Sequence, residues 1–311
     1  MISYGLYIKT KISKIICLIF WVMPLSFADA SQASLPTKQN SIEVRLKQLE
    51  QTFNARIGVY AIDTKNNQVV SYRANQRFPF CSTSKFVVVA ALLTKLTHDP
   101  QKLNQIIKYT QGDLDQAQYV PITKQYLTTG ITIEQLAIAA MEYSDNLGMN
   151  LLIKYLGGVS QVNAYAKSIG DSQFRLDRTE PELNSAIPND VRDTTTPIVM
   201  VQDLQKLLLQ NGLAKPMQSR LLTWMRSNTT GDMRIRKGVP KSWVVADKTG
   251  SGSYGTANDI GIIFPPKCAP IVLAIYTTHK QKNAKPDDKL IADITKAVIS
   301  DFAKNNQCLQ N

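Results

Sequence analysis

A serine and a lysine stand three residues apart, Ser82 and Lys85, directly before an apolar run from Phe86 to Leu93. On a helix this spacing puts both side chains on one side, about one turn apart. A serine hydroxyl beside an amine is a nucleophile with its base, as used in covalent acyl transfer. The apolar run predicts a buried helix, whose free N–H groups at its start favour a forming alkoxide. Taken alone, the pair could also be a helix cap and a surface lysine.

The cluster Ser144-Asp145-Asn146 lies between two predicted helices. A serine hydroxyl can relay a proton, and an asparagine amide can hold Lys85 or bind a substrate carbonyl. The alternative is that Ser144 or Asn146 is an ordinary N-cap of the following helix.

A lysine, two hydroxyls and a glycine occur together on a predicted strand, as Lys248, Thr249, Gly250 and Ser251. They suit an anionic substrate laid along the strand edge, because glycine lets a backbone approach closely. The alternative is an edge strand that a solvated lysine protects from pairing with other chains.

A long irregular stretch, residues 171–196, contains the run Arg178-Thr179-Glu180-Pro181-Glu182-Leu183-Asn184. A loop of this length inside a compact domain is usually functional. Glu180 and Asn184 could hold a water molecule, with Glu180 as its general base. The alternative is a solvated acidic loop.

The elements that must position these clusters come from both ends of the chain. Apolar spacing predicts a helix over 41–54 and strands over 57–63 and 68–72, then strands over 243–251, 257–264 and 269–278 and a closing helix over 287–302. The segments between are mainly helical, with helices predicted over 132–142, 146–156, 160–168, 197–210 and 215–227, the first of them opened by a capping box at Thr132 to Gln135. We therefore predict a two-part α/β fold: an antiparallel five-stranded sheet flanked by N- and C-terminal helices, with an inserted all-helical domain. The active site is expected in the cleft between the parts.

The first thirty residues have the pattern of a secretory signal peptide. Three lysines precede the apolar run 15–23, and Ala28-Asp29-Ala30 offers a cleavage site. Nine apolar residues are too few for a membrane anchor. We expect residues 1–30 to be removed, and the mature protein to be secreted, periplasmic or extracellular, without a membrane contact. The predicted domains are then 31–80 plus 228–311 for the sheet and 81–227, with the 171–196 loop, for the helices.

Charge and composition exclude several other classes of protein. The formal net charge of +12 falls to +10 when the signal peptide removes three lysines and one aspartate. The basic residues are scattered and not interleaved with aromatics, so nucleic acid is not an expected partner. His98 and His279 are the only histidines, without metal-ligand spacing, and are predicted to be surface residues. No metal or cofactor is expected.

Of the four cysteines, Cys17 lies in the signal peptide and Cys81 is predicted to be a small buried hydrophobe. Cys268 precedes the last strand and Cys308 follows the last helix. A strand of about ten residues and a returning helix of about twenty span similar lengths, near 30 Å. The two cysteines could therefore meet, and an oxidising compartment would permit a disulfide between them.

Three of the clusters, Ser82 to Lys85, Ser144 to Asn146 and Lys248 to Gly250, resemble those of the serine penicillin-recognising enzymes, in the same order along the chain. The loop pattern Arg178-x-Glu180-Pro181-x-Leu183-Asn184 narrows the resemblance to the class A β-lactamases. It covers essentially the whole mature chain. The resemblance implies a β-lactamase that hydrolyses penicillins and some cephalosporins through a serine acyl-enzyme and so gives antibiotic resistance. It also implies a monomer with small-molecule substrates.

The resemblance implies a role for each catalytic residue. Ser82 attacks the lactam carbonyl, Lys85 helps to deprotonate it, and Ser144 passes a proton to the lactam nitrogen. Glu180 and Asn184 hold and activate the water that releases the acyl group. Whether Lys85 or Glu180 is the base for acylation is disputed in this family.

Further residues are implied to bind the substrate or support the site. The backbone N–H groups of Ser82 and Ser251 form the oxyanion hole. Arg234, fourteen residues before Lys248, matches the second cation of one subgroup; another subgroup has an arginine where this chain has Ala257. Tyr119 matches the aromatic residue at the cleft mouth. The substrate-binding set is therefore Asn146, Lys248, Thr249, Gly250, Ser251, Arg234 and Tyr119. Asn150 and the ion pair Arg178–Asp193 are expected to hold the loop, with a cis peptide at Glu180–Pro181.

The chain departs from the family pattern at two pairs of cysteine positions. The cysteine pair of many members falls at Ala91 and Ala137, so that disulfide is absent. Cys81 matches one half of the disulfide of carbapenem-hydrolysing members, but the other half is Gly252, so efficient carbapenem turnover is not expected. Ser251 and Ser253 resemble residues of members that accept cephalosporins.

Two other functions share part of the pattern. A D-alanyl-D-alanine peptidase or transpeptidase would have the serine, lysine and strand motifs, but it lacks the loop glutamate, here Glu180. A β-lactam-sensing receptor domain would stay acylated, but it needs membrane spans and a cytoplasmic effector, and neither is visible in the sequence.

Overall fold

A five-stranded antiparallel sheet is assembled from both ends of the chain, as predicted. The computed structural model describes residues 41–310, so the predicted signal peptide, 1–30, lies outside the described residues. The strands of the sheet stand in the order β2-β1-β9-β8-β7. Their bounds are β1 Arg56–Asp63, β2 Gln68–Tyr72, β7 Val244–Gly252, β8 Thr256–Phe264 and β9 Ile271–Thr278, and four short strands lie outside this sheet: β3 Phe78–Pro79, β4 Ile106–Ile107, β5 Ile131–Thr132 and β6 Thr194–Thr195.

Apart from α3, which was not predicted, the helices occupy the segments in which they were predicted, mostly within two residues at each end. Thr132 and Gln135 form the predicted capping box of α4. The helices are α1 Ser41–Phe53, α2 Lys85–Lys95, α3 Gln111–Ala117, α4 Ile133–Glu142, α5 Asn146–Leu156, α6 Val159–Ser168, α7 Pro197–Leu204, α8 Lys215–Arg226 and α9 Asp288–Ala303. The predicted helix 197–210 differs, because its second half, Gln205–Leu209, is a π-helical turn.

Two hydrophobic clusters cover the two faces of the sheet. One contains α1, α9 and one face of β1, β8 and β9, with Ile42, Leu46 and Leu49 buried as the sequence predicts. The other combines the opposite face with α2, α4, α5, α7 and α8. Burying each large apolar side chain contributes about 1.5–3 kcal/mol. The inserted helices therefore share their core with the sheet, and the division into a sheet domain and a helical domain stays a prediction.

Helix α2 lies in the middle of the second cluster. Every residue from Lys85 to Leu93 is buried, so the prediction of a buried helix is confirmed. Ser82 itself lies in a 3₁₀ turn, Cys81–Ser84, that leads into α2. In a 3₁₀ turn residues three apart are aligned, so Ser82 and Lys85 still face the same side. No helix among residues 41–310 is long and apolar enough to cross a membrane.

Candidate active site

Ser82, Lys85 and Glu180 form a buried hydrogen-bonded triangle. Lys85 Nζ lies 2.6 Å from Ser82 Oγ and 2.6 Å from Glu180 Oε1, and Ser82 Oγ lies 3.0 Å from the same carboxylate oxygen. Both charged side chains are fully buried, as an ion pair. Neither the solvated acidic loop nor the surface lysine describes these residues. A hydroxyl held between an amine and a carboxylate can lose its proton to that pair.

The second cluster contacts the same lysine. Lys85 Nζ donates to Asn146 Oδ1 at 3.0 Å and to the Ser144 carbonyl at 3.1 Å, and the Ser144 hydroxyl lies 3.4 Å away. The N-cap alternative for Ser144 and Asn146 is wrong, because Asp145 caps α5 by accepting from the N–H of Gly148. Ser144 has a left-handed backbone, φ 57°, which few non-glycine residues adopt. The serine and asparagine are thereby left to face the lysine.

The strand motif lies on β7, at the edge of the sheet and beside the 3₁₀ turn. Lys248 is fully buried and donates to Ser144 Oγ at 3.1 Å, so it does not protect the edge as a solvated lysine. A Cβ atom on Gly250 would lie 2.7 Å from the Phe80 carbonyl oxygen and 3.2 Å from Ser82 N. Glycine is therefore required for β7 to pass so close to the nucleophile.

Charge at this strand is set by burial. Burial lowers the pKa of Lys248 well below its ordinary value, and the charge of Lys85 lowers it further. Asp247 and Asp259 oppose that shift. A carboxylate placed beside Lys248 Nζ would favour its charged form in the same way. The strand is thus suited to an anionic ligand.

Arg234 is a buried residue, 5% exposed, beside strand β7. Its guanidinium donates to Ser251 Oγ at 2.6 Å and to the Gly250 carbonyl at 2.9 Å. It also donates to the Asn258 carbonyl at 2.7 Å, and Asp288 pairs with its Nε at 2.7 Å. These contacts fix the guanidinium beside Gly250 and Ser251 of strand β7.

The 171–196 loop is tied down at several points. Asn150 exchanges two hydrogen bonds with the Glu180 backbone, at 2.8 and 2.9 Å. Asp193 is fully buried and accepts from Arg178 Nε at 2.6 Å. Asn184 donates to Glu180 Oε2. The peptide Glu180–Pro181 is cis, a helical turn occupies Glu182–Ser185, and the loop ends in strand β6, which pairs with β3.

Tyr119 is 54% exposed, and its carbonyl accepts from the N–H of Asn146 at 2.9 Å. Asp145 holds the neighbouring backbone by accepting from the N–H groups of Ile122 and Thr123, at 3.0 and 2.9 Å. The structure therefore places Tyr119 next to the Ser144–Asn146 cluster.

Sequence reasoning missed three polar residues around the site. Asp145 lies inside a recognised motif, but it was given no role. Thr230 contacts the Thr249 hydroxyl, and Asn258 donates to the Phe80 carbonyl at 3.1 Å behind the nucleophile turn. Neither has a local sequence signal, since an isolated threonine or asparagine is common in strands and loops.

The cysteines and histidines have been placed as well. Cys268 and Cys308 form a disulfide with Cα atoms 6.0 Å apart, and Cys81 is a buried free thiol. Burial raises the pKa of that thiol. His98 is exposed, but His279 is half-buried and its Nδ1 lies 3.1 Å from the Asn54 carbonyl. Both histidines therefore have solvent-exposed surface, although that of His279 is reduced.

Comparison with known proteins identifies a family that matches most of the described chain. The family model described as "Beta-lactamase enzyme family" matches residues 41–302. The chain is 46% identical over 280 residues to Beta-lactamase CTX-M-97 of Escherichia coli, covering 90% of this chain and 94% of that protein. It is 45% identical over 268 residues to Beta-lactamase OXY-1 of Klebsiella oxytoca, covering 86% and 91%. It is 44% identical over 268 residues to a Beta-lactamase of Proteus vulgaris, covering 86% and 98%.

Proposed function

Since the chain belongs to the β-lactamase enzyme family, in class A, we propose that it opens the β-lactam ring through an acyl-enzyme on Ser82. The observation that carries this mechanism is the triangle of Ser82, Lys85 and Glu180. Two groups that can take a proton lie within 3.0 Å of one hydroxyl oxygen. No other serine of the recognised motifs has both an amine and a carboxylate beside it.

In acylation, Ser82 Oγ attacks the lactam carbonyl carbon and its proton passes to the Lys85–Glu180 pair. The members of the pair are 2.6 Å apart, so either can hold the proton. The carbonyl oxygen becomes an oxyanion near the N–H groups of Ser82 and Ser251. Support for this placement comes from the close approach of β7 to Ser82 N at Gly250.

Ring opening requires a proton on the lactam nitrogen as its bond to carbon breaks. We assign this delivery to Ser144, whose hydroxyl lies 3.4 Å from Lys85 Nζ and 3.1 Å from Lys248 Nζ. The hydroxyl can give up its proton and be reprotonated by either lysine. The substrate carboxylate then lies at Lys248, Thr249 and Ser251, with Arg234 as the second cation, and Asn146 and Tyr119 line the opposite side.

Deacylation separates a β-lactamase from a peptidase that stays acylated. Glu180 and Asn184 are hydrogen-bonded to each other, and Glu180 also reaches Ser82. A water held by these two side chains loses a proton to Glu180 while it attacks the ester carbonyl. The ester bond to Ser82 Oγ then breaks, and Oγ recovers a proton.

The substrate range follows from the strand residues. We propose penicillins and some cephalosporins as substrates, because Ser251 and Ser253 match members that accept cephalosporins. A Cβ atom on Gly252 would lie 2.7 Å from Cys81 Sγ, so the two positions face each other without the cysteine that would link them. This supports the expectation of weak carbapenem turnover. We further propose removal of residues 1–30, export to the periplasm or the medium, and action as a monomer.

The test uses Glu180→Gln, which keeps the side-chain shape and removes the base. With a chromogenic β-lactam, we expect one burst of product and a stable adduct by mass spectrometry, with deacylation slower by about 10²–10⁴-fold. Glu182→Gln is the matched control, because Glu182 is an exposed glutamate on the same loop. Wild-type turnover in Glu180→Gln would refute the assignment of Glu180. A stable adduct on the wild-type protein would favour the peptidase or the sensor.

A further inference from the structure

A second cavity, of about 990 Å³, lies away from the Ser82 cluster. Its walls are the end of α1, the start of β1, the segment after β2, the end of β9 and residues 186–191 of the 171–196 loop. None of the catalytic or substrate-binding side chains proposed above lines it. We refer to it as the rear cavity.

The rear cavity has more cationic than anionic side chains in its walls. Its two carboxylates are already paired, Glu50 with Arg73 at 2.9 Å and Asp190 with Arg192 at 2.7 Å. The remaining cations of the wall, Arg56, Arg77 and Lys280, have no carboxylate within 4.0 Å among residues 41–310. The cavity therefore has an uncompensated positive charge.

Arg56 is held in a fixed position by its neighbours. Arg56 donates to the Arg77 carbonyl at 3.0 Å and to Gln76 Oε1 at 2.9 Å, and its guanidinium stacks 3.9 Å above the Phe78 ring. A guanidinium has five N–H donors, so Arg56 keeps donors for a ligand. Burial, together with the charge of Arg73, lowers the pKa of Arg56, and the Glu50 carboxylate offsets part of this shift. An anion bound there would reverse that destabilisation of the cation.

The loop segment of the wall, residues 186–191, contains apolar side chains beside Asn189 and Asp190. Ile187 and Val191 are 46% and 47% exposed, unusual for large aliphatic side chains, and both line the cavity with Pro188. Pockets for small molecules combine such apolar walls with a few fixed polar groups. The ligand that matches both walls has a negative group and an apolar body.

We propose that the rear cavity binds a small organic anion, whose carboxylate or phosphate contacts Arg56 and Arg77 and whose apolar part packs on Ile187 and Val191. Arg77 also donates to the Gln173 carbonyl at 2.7 Å and to Thr194 Oγ1 at 3.1 Å. It therefore joins the two ends of the loop that carries Glu180. A ligand bound to Arg77 would therefore contact the residue that holds the two ends of the loop together. Binding of the anion to the rear cavity does not depend on the proposed β-lactamase reaction.

The test is an NMR titration of the mature protein with 1-naphthoate, read at the amides of residues 187–191. Ile187→Asp and Ile187→Asn differ only in charge at a half-exposed position. We expect Ile187→Asp to weaken 1-naphthoate binding about tenfold or more relative to Ile187→Asn, and Arg56→Gln to do the same relative to wild type. Arg226→Gln, on the exposed face of α8, should leave binding within about twofold. Neutral 1-naphthamide and inorganic phosphate, which each lack one half of the ligand, should bind more weakly than 1-naphthoate.

Three outcomes would overturn the proposal. Shifts confined to amides around Ser82 and Lys248 would place the anion in the active site alone. Equal affinity of Ile187→Asp and Ile187→Asn would show that charge does not matter at this cavity, and that comparison holds even if Arg56→Gln fails to fold. Phosphate binding as tightly as 1-naphthoate would show that the apolar wall contributes nothing.

Discussion

Replacing Asp203 by asparagine should remove a pH dependence that two buried carboxyl groups give the folded protein. Asp171 and Asp203 are 1% and 2% exposed, and one oxygen of each has no hydrogen-bond partner among the described residues. Burial raises the pKa of Asp203 well above its ordinary value, and the neighbouring Asp171 carboxylate raises it further. The positive charge of Lys206 acts in the opposite direction. We infer that Asp203 keeps its proton in the folded protein to a higher pH than in the unfolded chain.

The free energy of unfolding should fall as the pH rises, because the folded state binds more protons than the unfolded state. In the unfolded chain Asp203 loses its proton at a pKa near 3.9, whereas in the folded state it keeps that proton to a higher pH. Between the two pKa values the folded state binds one proton more, so its free energy of unfolding falls by about 1.4 kcal/mol per pH unit. This stability is complete below the unfolded pKa and is lost as the pH rises through the folded one. Asparagine can donate to Asp171 without titrating.

The assay is denaturant unfolding of wild type and Asp203→Asn from pH 5 to pH 8. Relative to wild type, Asp203→Asn should gain about 1.4 kcal/mol per pH unit over the range between the two pKa values of Asp203. Asp232→Asn is the control, since the Asp232 side chain is 77% exposed. If the difference in the free energy of unfolding between wild type and Asp203→Asn does not change with pH, Asp203 does not keep its proton in the folded state and the inference is wrong.

Three further changes test other contacts. Arg234→Gln should raise KM for carboxylate-bearing substrates about tenfold or more, with a smaller effect on kcat, in steady-state kinetics; an unchanged KM would contradict its role. Gly250→Ala should lower the free energy of unfolding by about 1–3 kcal/mol and reduce activity, because the alanine Cβ would lie 2.7 Å from the Phe80 carbonyl oxygen. A variant with full activity and unchanged stability would contradict this steric clash. Replacing both Cys268 and Cys308 by serine opens a 40-residue loop and should cost about 2–4 kcal/mol in denaturant unfolding, without changing kcat of the folded enzyme.

The fold was predictable because its elements carry strong local patterns. Apolar periodicity defined the five strands and most helices, and Thr132 with Gln135 marked the start of α4 by a capping box. The helix after residue 197 was harder, because a π-helical turn differs from an α-helix by one hydrogen-bond step. No residue type favours that step strongly enough to be read from sequence.

The residues of the candidate site were predictable because they lie in short motifs of recognisable order. Their surroundings were not. The pairing of Asp171 with Asp203 joins the start of a loop to a helix that begins after it ends, and each aspartate alone resembles a surface residue. The rear cavity likewise depends on Arg56 and Arg77. Only the folded structure shows that neither arginine has a carboxylate within 4.0 Å among residues 41–310. Such features arise from tertiary contacts that local patterns do not encode.

The position of β1 in the sheet has a consequence for how the chain folds. Strand β1 pairs with β9, so that Arg56 faces Thr278 across more than 200 residues of sequence. Closing such a long loop is entropically costly and must precede the contacts that stabilise it, which makes folding slow. The hairpin of β1 and β2 lacks its inner neighbour until β9 has been synthesised. We therefore expect a truncation that removes β9 to abolish β-lactam turnover along with the sheet.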